Sequence, residues 1–131
     1  MNKEKQFKDM PNAEKAALVC SWLDEKQGGE IVSLNVADLC SITETICVVS
    51  ARSIKHAQAL ADFILERCRD EGVEFLGMEG YKTGDWILVD LNDVIIHVFL
   101  ADLRGFYNIE GMWAEAERTD YSGENPEHGD D

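Results

Sequence analysis

GDWILVDLNDVIIHVFLADLRGFYNIEGMW, residues 84–113, is the stretch whose reading decides the fold. Two β-type runs, 86–91 and 94–100, are separated only by Asn92-Asp93. A two-residue polar gap between β-branched runs predicts a tight hairpin. Both residues tolerate the positive φ that such turns require. A two-residue turn also sets the pairing: Leu91 with Val94, Asp90 with Ile95, Val89 with Ile96, Leu88 with His97, Ile87 with Val98, Trp86 with Phe99.

Strand side chains alternate between faces, so these pairs sort into two sets. One holds Ile87, Val89, Leu91, Val94, Ile96 and Val98, an aliphatic surface suited to a layer of helices. The other holds Trp86, Leu88, Asp90, Ile95, His97 and Phe99. Large aromatics with a few polar groups are what protein-binding surfaces favour. The same composition also fits a smaller second core under a loop, and the pattern leaves both open.

Outward from the hairpin, the remaining elements follow from periodicity. A helix is expected from Asn12 or Ala13 to about Gln27, with Asn12 as N-cap and Gly28-Gly29 as its stop. Residues 31–36 and 45–50 read as strands, the second apolar enough for a central position. Ile54, Ala57, Ala61, Ile64, Leu65 and Cys68 give a sheet-facing stripe to a helix over 53–71, closed by Gly72. With the preceding strand and the one that follows, it is compatible with a βαβ crossover. Residues 73–78 read as a short strand, 79–85 as a glycine-bearing loop, and a final amphipathic helix is expected from about Tyr107. The expectation is an α/β (α+β) domain: a mixed sheet of about five strands with helices mainly on one face.

The 131 residues suffice for one domain with a sizeable core. The domain is placed at 12–116, between a loose N-terminus over 1–11 and an acidic, disordered tail over 117–131. The formal net charge of −14 makes nucleic acid a poor partner for the surface as a whole and a basic partner the natural one. The four cysteines form no CxxC pair and read as buried, reduced thiols of a cytoplasmic protein. No apolar run approaches a membrane span, and residues 1–11 lack the apolar core of a secretory signal.

Catalytic constellations are missing from the pattern. There is no GxGxxG, no GxxxxGK[ST] and no GxSxG elbow. His97 shares a face with Asp90, but no nucleophile can be placed beside them, so it reads as a structural or interface histidine. His56, His97 and His128 are far apart, while Asp85 and Asp93 read as strand-flanking and turn acids. No catalytic residue, metal or cofactor is expected.

TETICVVSARSIKHAQALAD (43–62), with EGYKTGDWILVDLNDVIIHVFLADLRGFYNIEGMW (79–113), resembles the ribosomal silencing factor family, RsfS or Iojap. The likeness spans roughly 13–114. It rests on the joint framework of Glu79-Gly80, Asp85-Trp86, Asp90, Asp93-Val94, His97-Val98-Phe99, Arg104, Tyr107, Glu110 and Trp113. The resemblance implies a nucleotidyltransferase-like fold without that catalysis, since SARSIKHAQ lacks the Gly-Ser pair and paired carboxylates of those enzymes. It implies binding to universal large-subunit ribosomal protein fourteen, a basic protein at the subunit interface. That binding blocks subunit joining and represses translation under nutrient limitation. It also implies possible homodimers. Trp86 matches the family's contact aromatic, and Leu88, His97 and Met78 are expected beside it. The sequence departs from the family near Asn92 in the turn, where a glycine is usual, and near Cys47, where a bulkier residue is common. The alternatives are a nucleotidyltransferase-related enzyme and a dimeric adaptor that pairs through the open sheet face.

Overall fold

The computed structural model describes residues 10–121. Six strands form one sheet in the order β3-β4-β5-β2-β1-β6, with β1 Gly29–Asn35, β2 Thr45–Ala51, β3 Gly77–Glu79, β4 Trp86–Asp90, β5 Val94–Leu100 and β6 Glu117–Asp120. Only β2 and β5 are parallel; the other neighbours are antiparallel. Parallel neighbours need a long crossover. Here it contains α2 (Ile54–Glu71) and the β3–β4 pair, so the parallel partner of β2 is β5, not the next strand in the chain.

The hairpin register is the expected one from Trp86↔Phe99 to Asp90↔Ile95, closed by Leu91 N–H donating to Val94 C=O at 2.9 Å. Asn92 takes the positive φ, 81°. All six residues of the aliphatic face are fully buried, beneath α1 (Asn12–Glu25) and α2. Trp22 and Leu23 of α1 and Leu60 and Ile64 of α2 complete that core. At about 1.5–3 kcal/mol per large buried aliphatic side chain, this layer is the main source of stability.

Several local expectations are corrected. α1 is preceded by Pro11, and the Asn12 side chain bonds elsewhere: its Nδ2 donates to Asp93 O (3.0 Å) and Oδ2 (3.1 Å). The left-handed residue after α1 is Gln27 (φ 63°), not Gly28. Gly28 is tight for a different reason: a Cβ there would collide with Val49. α2 does end as expected, on Gly72 at φ 71°, and begins with Ser53 Oγ accepting from His56 N–H.

The C-terminal helix starts earlier than expected. α3 runs Ala101–Tyr107 directly off β5, and Asn108 (φ 49°) breaks it from α4, Ile109–Met112. Gly105 is tolerated because it lies on an open helix surface. Residues 117–120 are not tail but strand β6, antiparallel to β1 from Val32↔Asp120 to Asn35↔Glu117, which raises the strand count from five to six. Their side chains are exposed, so hydrogen bonding rather than burial holds them. The rest of the proposed tail, and most of the proposed loose N-terminus, lie outside the described residues.

Candidate protein-binding face

The second face of the sheet divides in two. Toward β1, Val32, Leu34, Ile46, Val48, Phe99 and Ile109 form a separate core, with Leu103 and Trp113 packed on it from α3 and from just after α4. Toward β4 the cover ends. Trp86, Leu88, Asp90 and Ile95 are each half-buried. Both readings of the mixed face therefore apply, to different parts of it.

Trp86 sits at the boundary. Its ring stacks on Phe99 (centroids 4.8 Å, 30°) and meets Tyr107 of α3 at 4.6 Å. Its indole N–H donates to His97 Nδ1 at 3.0 Å. His97 is 9 % exposed, and burial pushes its imidazole down to about 4. Neutral at pH 7, it accepts at Nδ1 and carries its proton on Nε2. A half-buried tryptophan held on two rings and one hydrogen bond presents its remaining surface in a single orientation. That lowers the entropy lost on binding.

Leu88 pairs with His97 and lies on the same face. Met78 does not. It pairs with Val89, whose side chain faces α1 and α2, and packs against that core. The strand expected over 73–78 is the three-residue β3, and it is Glu79, opposite Leu88, that shares the face of Trp86.

The sequence reading missed the ridge beside Trp86. Phe106 is 78 % exposed and Tyr107 43 %. Phe106 meets Tyr107 edge-on at 5.1 Å, so aromatic contacts run continuously from Phe99 through Trp86 and Tyr107 to the surface. The signal for this ridge was Asn108, a residue that favours a left-handed helix end.

Arg104 fixes the ridge. Its guanidinium, 7 % exposed, donates to both Glu110 oxygens (Nε–Oε1 3.3 Å, Nη2–Oε2 2.8 Å), to Ser50 Oγ (2.9 Å) and to Gly29 O (3.3 Å). Burial alone would raise the Glu110 carboxyl, but Arg104 outweighs it and holds it below the usual range. One side chain thus ties α3 to α4 and to two strands.

Two acids of the hairpin are used in the fold. Asp90 Oδ1 accepts from Asn92 N–H at 2.8 Å, and Asp93 pairs with the buried Lys15. Burial works against ionisation of Asp93, yet Lys15 and Asn12 together lower its carboxyl. Among the described residues no group of three or more His, Cys, Asp or Glu could hold a metal ion. No helix among them is long and apolar enough to cross a membrane.

Residues 9–131 match the family model described as ribosomal silencing factor during starvation. The chain belongs to the ribosomal silencing factor family. It is 32 % identical over 114 residues to ribosomal silencing factor RsfS of Halalkalibacterium halodurans, covering 87 % of this chain and 97 % of that one. It is 37 % identical over 92 residues to the Haemophilus influenzae protein of the same name, covering 70 % and 90 %. A crystal structure of a Chromobacterium violaceum protein superposes with a TM-score of 0.78 at 32 % identity, over 80 % of this chain and 88 % of that one. In this ribosomal silencing factor family member, SARSIKHAQ spans the β2–α2 junction, where Ser53 caps the helix and His56 is committed to two backbone hydrogen bonds.

Proposed function

We propose that this chain acts as a ribosomal silencing factor by docking its Trp86 face on the large ribosomal subunit, with universal large-subunit protein fourteen as the contact. The observation that carries this reading is the oriented, half-buried Trp86 beside the exposed Tyr107 and Phe106 on a chain of net charge −14. An aromatic anchor in an apolar patch supplies the buried centre of an interface. Acidic surface around it steers a basic partner and sets the register. The domain's bulk then excludes the small subunit from the joining surface and lowers translation when nutrients are short. The chain needs no catalytic group for this, and we place it with the ribosomes in the cytoplasm.

The test is a pull-down of purified large subunits at moderate salt, with subunit joining read on sucrose gradients from the same samples. Trp86→Ala should weaken binding by at least about 2 kcal/mol, roughly thirtyfold, and restore joining. Met78→Ala, on the opposite face of the sheet, should bind like the wild type. Native circular dichroism with undiminished binding by Trp86→Ala would remove Trp86 from the interface. No binding by folded wild type would leave the family's fold without this activity.

A further inference from the structure

The distribution of cations marks a second surface. Lys15, Arg67, Arg104 and Arg118 are each paired with a carboxylate. Lys26, Arg52, Lys55, Arg69 and Lys82 are exposed and form no ion pair among the described residues. Arg69 lies near the far end of α2 and the Lys26 ammonium sits over the Phe63 ring at 5.0 Å, but Arg52 and Lys55 stand together at the start of α2, with Lys82 in the loop that faces them. Arg52 and Lys55 line an open cleft of about 590 Å³ with Ser53, His56, Gln58, Ala59, Asp62 and Tyr81. Lys82 adjoins Tyr81 in the chain, and the Lys26 carbonyl accepts a hydrogen bond from His56 Nε2 at 2.9 Å.

The other polar groups of the cleft are already engaged. His56 Nδ1 accepts from Arg52 N–H (2.9 Å), and Gln58 Nε2 donates to Tyr81 O (2.8 Å). Tyr81 Oη donates to Oδ2 of Asp62, the one acid in the lining, at 2.8 Å. These bonds hold the walls and leave Arg52 and Lys55, with Lys82 beside them, as the groups available to a ligand. Among the described residues, Ala59, Tyr81 and the His56 ring, itself tied to two backbone groups, are the only apolar or aromatic lining, too little to enclose a nucleobase. Cations spread along a shallow, rigid cleft without a base pocket match a sugar–phosphate backbone better than a free nucleotide.

We propose that the cleft between the start of α2 and the 80–84 loop is a contact site for the phosphate backbone of RNA. The ribosomal setting proposed above supplies RNA as the polyanion, but the site is separate from the Trp86 face. It confines to one patch the nucleic-acid affinity that the net charge denies to the surface as a whole.

The test is fluorescence anisotropy of the full chain with a labelled duplex RNA, across a salt series starting near 50 mM. Binding should weaken with salt, and Lys55→Glu should lower the logarithmic salt slope by about one. Arg52→Glu with Lys55→Glu should weaken binding at low salt at least about tenfold. Arg52→Gln with Lys55→Gln gives the same direction if the reversals unfold the protein. Arg69→Glu makes the same charge change as Lys55→Glu about 20 Å along α2 and should leave binding nearly unchanged. Trp86→Ala should keep RNA affinity, and Lys55→Glu should keep affinity for the isolated ribosomal protein, so either proposal can fail alone. Absence of RNA binding, or equal losses in Arg69→Glu and Lys55→Glu, would overturn the site. So would ATP or inorganic phosphate displacing the RNA at micromolar concentration, which would assign the cleft to a small phosphate ligand.

Discussion

At the scale of residues, Trp86 and His97 act as one hydrogen-bonded unit, and that unit is sensitive to acid. Unfolded, the imidazole titrates near 6.5; in the fold, burial takes it down to about 4. Between those values the unfolded chain holds more protons. The stability contributed by neutral His97 is therefore complete above about pH 6.5 and is lost as pH falls toward 4, by up to roughly 3 kcal/mol. Urea denaturation at pH 7 and pH 4.5 should show a smaller loss in His97→Gln than in the wild type, since glutamine still accepts from the indole without titrating. An equal loss in both would place the acid sensitivity elsewhere. Protonation also turns Nδ1 into a donor facing the Trp86 N–H, so large-subunit binding by the folded protein should hold down to about pH 5 and weaken near 4, where the folded imidazole titrates.

At the scale of elements, two short segments hold the ridge and the hairpin in place. Arg104→Ala should destabilise the fold by about 2–3 kcal/mol in urea melts, less than a fully buried ion pair would cost because Glu110 reaches solvent. Binding should fall by more than stability predicts, because α4 loses its tie to α3. Gly80, at φ 82°, lies so close to β4 that a Cβ would run into the Trp86 carbonyl oxygen. Gly80→Ala should therefore cost more than about 1 kcal/mol and disturb the backbone under Trp86, visible as a shifted Trp fluorescence spectrum.

The same elements show what a sequence can reveal. The hairpin was legible to the residue because a two-residue turn leaves one register and alternation does the rest. The ridge was not, because Gly105 looked like a breaker, whereas on an exposed helix face it costs little more than its propensity. Met78 was misplaced because β3 has only three residues, and a one-residue shift moves a side chain to the other face. β6 was missed because Glu-Arg-Thr-Asp carries no apolar alternation; an exposed edge strand needs none. The cation cleft left no pattern either, since crossover geometry brings Lys82 to the α2 start.

For the whole molecule, charge governs encounter and shape governs holding. Raising salt should slow association with large subunits and change the dissociation rate little, measured by stopped-flow with labelled protein. A steep salt effect on dissociation instead would mean that buried ion pairs, not the aromatic face, hold the complex. The two proposed surfaces also separate by mutation: the aromatic ridge lies across the sheet from α1 and α2, while the cleft lies at the start of α2.

The sheet order has a consequence for how the chain is made. β1 is the first described strand to be synthesised, but its outer neighbour β6 is the last of the described elements, with Val32 waiting for Asp120. Until residue 120 has left the peptidyl-transferase tunnel, the nascent domain carries an unsatisfied row of backbone donors and acceptors along β1. Such an edge recruits other strands. Chains cut short after Ala116 should accordingly form inclusion bodies even though they lose only Tyr121 from the hydrophobic cores.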